Sequence, residues 1–257
     1  DLVTDLLNSG ENEIFVRFDS ALLYGMQRLK ERYIHSWSTD DHKRPGGNYL
    51  RKSQCNFGWD WGPQLITCGI WRDISLVGIG VGRLEDVLVE QIHSEDGEVS
   101  LLVDIAAESL DESTAYDAKL TVLFEGEEVI AAETSFEEGL CAIAVAIPDP
   151  KLWWPNGLGD QPLYTISVTL LHGGEAIDSW ENQIGLRTLN LVTQPDEWGE
   201  SFHFECNGVP FFSKGANWIP ADTFIVSIRE EHYEDLLQSA VDANMNMLRV
   251  WGGGIYR

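Results

Sequence analysis

The chain has 257 residues, of which 44% are hydrophobic, so it can build sizeable cores over two or three domains and does not read as a disordered polypeptide. Its formal net charge of −25 disfavours nucleic acid and anionic membrane surfaces as partners. The charge is uneven: residues 1–82 carry 10 acidic and 9 basic side chains, residues 83–190 carry 22 and 4, and residues 191–257 carry 10 and 4. The middle block therefore reads as a separate module with acidic, solvated faces. The near-neutral first block is the easier surface for a neutral ligand.

The four cysteines (Cys55, Cys68, Cys141, Cys206) are far apart and form no CxxC pair, and the six histidines are scattered. Neither a disulfide scaffold nor a metal site is indicated, and no cofactor is expected. No apolar run approaches membrane-spanning length. The sequence opens directly on DLVTDLLNSGENEIFVRF without an initiator Met, which reads as a cut front, so the lack of a leader says little about compartment.

In residues 1–82, Ile14, Val16 and Phe18 fall on one face of the alternating segment Glu13 to Phe18, and the preceding NSGEN supplies a turn. Trp71 to Val77 alternates again, as a half-buried strand would. Between them lie the polar stretch Tyr33 to Gly47 and the segment FGWDWGP, Phe57 to Pro63. Its Gly and Pro residues predict a bent loop, and the block as a whole reads as part of a β-sandwich.

Residues 83–190 carry the clearest all-β pattern. The expected strands are Val87–Ile92, Ser100–Ala106, Lys119–Phe124, Val129–Ser135, Leu140–Ala146, Tyr164–Leu171 and Glu175–Ile184, with Gly-containing turns (EDGE, FEGEE, EEGL, HGGE) between several of them. Seven strands in about 100 residues is an immunoglobulin-like count. Leu152 to Tyr164 (LWWPNGLGDQPLY) interrupts the pattern as a longer crossover, with Trp153 and Trp154 read as packing anchors.

Residues 191–257 change character. Asn207-Gly208 predicts a hairpin, Phe211 to Gly215 a strand, and Ser227 with Glu230 a capping box. Tyr233, Leu236, Leu237, Ala240 and Val241 recur at helical spacing, and Met245 to Val250 reads as a second strand. Strand, helix, strand at this spacing is one βαβ unit of a parallel sheet. One such unit would leave an apolar helix face and strand edges open.

Functional groups of parallel α/β folds gather at the carboxyl ends of strands. Asn217 and Trp218 follow the first expected strand, and Trp251 follows the second in RVWGGGIY, Arg249 to Tyr256. The glycines Gly252 to Gly254 match neither a dinucleotide fingerprint nor a Walker pattern. In FGWDWGP, Trp59 and Trp61 flank Asp60, which suits a sugar: apolar ring faces for its C–H surface and a charged acceptor for its hydroxyls. Asp60 is also read as a turn cap or a partner for Arg51 or Arg72, and Trp251 as a core residue at a strand end.

Together these segments resemble β-mannosidases of glycoside hydrolase family two. The resemblance rests on RKSQCNFGWDWGP (51–63), GIWRDI (69–74), WWPNGLGDQPLY (153–164), KGANWIPAD (214–222) and RVWGGGIY (249–256). It implies a mainly β chain: the end of a truncated jelly-roll sugar-binding domain (1–82), an immunoglobulin-like β-sandwich (83–190), and the first βαβ unit of a (β/α)8 barrel (191–257). It also implies retaining hydrolysis of terminal β-D-mannosides. Carried over, Trp59, Asp60 and Trp61 bind substrate, Trp251 lines the same subsite and Asn217 is a further candidate. Arg249 is expected to organise carboxylates inside a barrel.

The family's two catalytic glutamates fall on later barrel strands, and none of Asp60, Asp73, Asp222 or Glu230 matches their positions. This chain by itself is therefore expected to be inactive. The rivals are a β-galactosidase or β-glucuronidase relative and a non-catalytic carbohydrate-binding module. The expected partner is a β-mannoside, with no metal, nucleic acid or membrane involved.

Overall fold

The computed structural model describes residues 3–35, 45–59, 62–111 and 114–252. The chain divides into two compact units, one of Asp1–Ser75, Asn217–Asp235 and Arg249–Arg257, the other of Leu76–Ala216 and Leu236–Leu248.

The expected strands of the first block do not form. Neither Glu13 to Phe18 nor Trp71 to Val77 contains a strand among the described residues, and Ile14 (77% exposed), Phe15 (85%) and Ile74 (68%) face solvent. A strand is stabilised by a ladder partner and a face to bury, and neither segment joins a sheet among the described residues. The block instead contains a helix that the alternation hid, α1 (Ala21–Glu31), whose N-cap Ser20 accepts a hydrogen bond from the Leu23 amide. Its inner positions Leu22, Gly25, Met26 and Leu29 follow helical spacing. Short helical turns at Gly47–Tyr49 and Gln54–Phe57 follow, and Phe57, at the entrance to the FGWDWGP loop, is fully buried.

The sandwich contains all seven expected strands: β1 (Gly82–His93), β2 (Val99–Ser109), β3 (Asp117–Phe124), β4 (Glu127–Ser135), β5 (Leu140–Ile147), β6 (Tyr164–His172) and β7 (Glu175–Ile184). They form antiparallel sheets ordered β1-β2-β5 and β4-β3-β6-β7. Alternate residues point inward: Val99, Leu101, Val103 and Ile105 from β2 meet Ala118, Leu120 and Val122 from β3, with Ile143, Val145 and Ile147 from β5 and Ile166 and Val168 from β6. Each fully buried Leu, Ile or Val contributes roughly 1.5–3 kcal/mol, which lets the sandwich tolerate a strongly acidic outer surface.

The crossover from β5 to β6 changes sheets. It is fixed by a bridge between Leu152 and Leu186 and by the Trp153 amide donating to the Leu186 carbonyl. Trp153 packs under the Arg187 guanidinium, 4.3 Å from the ring centroid.

Five short strands follow. β8 (Leu189–Val192), β11 (His203–Cys206) and β12 (Val209–Phe211) form one sheet, and β9 (Pro195–Asp196) pairs with β10 (Gly199–Glu200). The predicted hairpin is β11–β12, turned by Asn207 (φ 51°) and Gly208 (φ 76°), the paired positive φ values of a type I′ turn.

The strand expected at Phe211 to Gly215 is displaced: Phe211 closes β12, and the next strand is β13 (Gly215–Trp218). Helix α2 (Glu230–Asp242) and β14 (Met247–Val250) complete the βαβ unit. Met247 N–H donates to Lys214 O and Trp251 N–H to Trp218 O, so register advances in the same direction on both strands and the pair is parallel. The backbones approach so closely that a Cβ at Gly215 would collide with the Met247 carbonyl oxygen.

The capping box does not form. Ser227 belongs to a 3-10 turn, Ile225–Ser227, and its hydroxyl donates to the Phe224 carbonyl, while α2 begins only at Glu230. Leu236, Leu237 and Val241 on the apolar face of α2 remain exposed.

Candidate functional site

The candidate site lies in the unit that contains the FGWDWGP loop and the carboxyl ends of β13 and β14. Side chains alternate across a strand. Trp218 stacks on Tyr233 of α2, with ring centroids 6.2 Å apart and an interplanar angle of 22°, so Trp218 faces the helix. Pro220, Ala221, Ile225 and Ile228 close around these two rings and leave a cavity of only about 10 Å³, too small to hold a ligand. Trp218 is therefore a packing residue.

Asn217 faces the other way. Its Oδ1 accepts a hydrogen bond of 3.0 Å from Arg249 Nη1, which puts Arg249 on the same face of the strand pair. Arg has only donors, so this bond turns the Asn217 amide to present its NH2 group away from Arg249. Arg249 thus holds an amide among the described residues, where a carboxylate partner was expected. Trp251 lies two residues beyond Arg249, on the same face by the strand period, and its backbone is held by the Trp218 carbonyl at 2.8 Å.

The loop meets this face. Trp59 and Trp251 touch edge to face, with ring centroids 4.4 Å apart and planes at 77°. Trp59 also pairs with Gly62 in an isolated antiparallel bridge. A Cβ on Gly62 would reach ordinary contact with Thr223 Oγ1 at 3.9 Å, so the loop runs beside the segment that follows β13. Asp60 and Trp61, both candidate ligand contacts, lie outside the described residues. Among the candidates, the structure brings together Trp59 and Trp251, and pairs Asn217 with Arg249.

The surroundings limit the available chemistry. Asp222 caps a turn through the Phe224 amide at 2.7 Å, and Glu230 sits in the exposed first turn of α2. Upstream of the loop, burial pushes the Cys55 thiol up, the Lys52 ammonium nearby only partly opposing it, and burial lowers Lys52 itself. A protonated, buried thiol is a poor nucleophile, so Cys55 is a packing group. Among the described residues no group of three His, Cys, Asp or Glu side chains could hold a metal. No helix of the described residues is long and apolar enough to cross a membrane. The assembled groups are indoles, an amide and a guanidinium, which suit binding of a hydroxyl-rich ring rather than bond cleavage.

Sequence reasoning missed Arg249 as the partner of Asn217. The two-residue periodicity of Arg249 and Trp251 on the second strand was the signal that could have placed them together.

The chain is similar to known proteins along its whole length. The family described as glycosyl hydrolase 2 galactose-binding domain-like matches residues 2–72, and glycosyl hydrolases family 2 matches residues 82–187. Beta-mannosidase B of Thermothelomyces thermophilus is 37% identical over 99% of this chain, and that of Aspergillus clavatus 34% over 100%. The chain spans 30% of the length of each of these relatives. Among solved structures, the beta-D-mannosidase of Dictyoglomus thermophilum is 40% identical, with a TM-score of 0.90 over 99% of this chain and 31% of that one. A putative beta-galactosidase of Bacteroides fragilis, 18% identical with a TM-score of 0.57, covers 68% of this chain and 27% of its own, and shares the fold. Residues 2–72 and 82–187 thus match two glycosyl hydrolase family 2 domains in order, and the chain is similar to beta-mannosidases along its whole length.

Proposed function

We propose that this chain supplies the sugar-recognising part of a retaining exo-β-mannosidase that removes terminal non-reducing β-D-mannose. The observation that carries the reading is the contact between Trp59 and Trp251, which sets the FGWDWGP loop against the end of β14. In this reading the two indoles form adjoining walls for the apolar face of the pyranose. Asp60 accepts hydrogen bonds from its hydroxyls, Trp61 shapes the pocket, and the Asn217 amide donates to a ring substituent. Residues 1–82 belong to a sugar-binding domain, 83–190 to the immunoglobulin-like sandwich, and 191–257 open a (β/α)8 barrel.

Retention requires two carboxyl groups about 5 Å apart, one an acid/base and one a nucleophile. The family places both on barrel strands after β14, so this chain contributes binding and not bond cleavage.

The test uses aryl β-mannoside, β-galactoside and β-glucuronide with a polypeptide of the relatives' full length that carries this chain. Mannoside is expected to be hydrolysed preferentially. Trp251→Ala and Asp60→Ala are expected to lower kcat/KM by ten-fold or more, as loss of a stacked wall or a charged acceptor costs about 1.5–3 kcal/mol. The 257-residue chain alone is expected to show no turnover above buffer. Preference for another glycoside, or wild-type mannosidase activity in both variants, defeats the reading.

A further inference from the structure

We propose that the immunoglobulin-like sandwich carries a second saccharide-binding site, a cleft that takes a neutral β-linked oligosaccharide. The cleft has a volume of about 890 Å³ and lies at one end of the sandwich. This is within the range of roughly 300–1,000 Å³ that small-ligand sites occupy.

Three rigid pieces build it. The first is the β3–β4 turn at Glu125 and Gly126, both with positive φ (53° and 85°). The second is the crossover Pro150 to Leu163, tied down by the Leu152–Leu186 bridge, the Trp153 amide on Leu186, and the Lys151 amide donating to the Tyr164 hydroxyl at 2.9 Å. The third is the start of β6 and the end of β7, which contribute Thr165 and Gln183. These tethers preform the cleft, so a ligand need not order it on binding.

The lining has the composition a saccharide requires. Trp154, half-buried, gives an aromatic wall, and its orientation is set by the backbone of Gly159, where a Cβ would lie 2.8 Å from the ring. Leu163 and Pro162 extend the apolar surface. Glu125, Lys151 and Asp160 line the same cleft, and none of these three side chains makes a hydrogen bond or ion pair with another described residue. The Gln183 amide makes only a long bond of 3.4 Å to Thr165. The cleft thus offers acceptors and donors that the fold does not use, beside one face of a half-buried indole. Two carboxylates against one ammonium disfavour an anionic ligand and leave a hydroxyl-rich neutral one.

The site shares no residue with the FGWDWGP region, and only the choice of a mannose-built probe rests on the proposed function. The 257-residue chain is titrated with β-1,4-mannotriose and, separately, with cellotriose, followed by calorimetry. At least one probe is expected to saturate, with Asp160→Ala and Lys151→Ala each weakening binding by about five-fold or more. Both side chains are exposed and unbonded, so neither substitution threatens the fold. Trp251→Ala is expected to leave this affinity unchanged. Absence of saturation with either sugar overturns the proposal, as does wild-type affinity in both cleft variants. If binding is lost in Trp251→Ala but kept in Asp160→Ala, the cleft is not the site and the proposed function stands.

Discussion

The Trp59–Trp251 contact can be tested by a double-mutant cycle, because it predicts an energy that neither residue carries alone. Complete burial of a Trp is worth about 3–5 kcal/mol against Ala, and each ring here is only partly buried, so Trp59→Ala and Trp251→Ala should each cost about 2 kcal/mol. An edge-to-face pair at 4.4 Å and 77° adds roughly 0.5–1.5 kcal/mol beyond its buried area. The double variant should therefore cost about 3 kcal/mol, with a coupling of about 1 kcal/mol. Urea unfolding followed by far-ultraviolet circular dichroism measures all four corners of the cycle without relying on the altered tryptophan fluorescence. Trp251→Phe should retain part of the coupling, since a phenyl edge still meets the Trp59 ring. Additivity of the two single costs to within about 0.3 kcal/mol would falsify the contact as an energetic link, and with it the argument that the loop is held against β14.

Two further predictions concern the framework. Gly215→Ala should destabilise the βαβ unit by more than about 2 kcal/mol, because the new methyl group displaces the Met247 carbonyl and opens the parallel pair. Faster amide exchange at Met247 and Trp251 than elsewhere would be the signature, and unchanged exchange there would count against the described register. The second concerns Cys141 on β5, whose thiol burial pushes up to about 11 from 9.0. The unfolded chain ionises this thiol first, so its contribution is complete below pH 9 and is lost as pH rises toward 11. Two units correspond to about 2.7 kcal/mol, which partial exposure reduces to roughly 1 kcal/mol. Cys141→Ala should flatten the stability profile over that window, and an unchanged slope between pH 9 and 11 would refute the assignment.

Where residues interact locally, the sequence predicted the structure closely. All seven sandwich strands lie within about two residues of their expected ends except at β1 and at the far end of β2, which run longer into antiparallel partners. Period-two alternation and Gly-containing turns are properties of adjacent residues, so they can be read without knowing the fold. The Asn207-Gly208 hairpin was legible for the same reason. The helical spacing of α2 was also visible, but its start was not, because the turn at Ile225–Ser227 engages Ser227 before it can cap.

The opposite failure occurred in the first block. Glu13 to Phe18 alternates as a strand should, yet alternation states only which face could be buried and cannot supply the neighbour that buries it. Meanwhile Leu22, Gly25, Met26 and Leu29 carried a helical period that went unread.

The sequence by itself determined the sandwich, the hairpin and the βαβ order, because each depends on spacing within a few positions. Only the tertiary structure decided that Trp59 meets Trp251 about 190 residues away, that Arg249 turns the Asn217 amide, and that Trp218 belongs to the packing against α2. Those facts depend on which face each strand presents and on what the chain brings back beside it, and no local pattern encodes either.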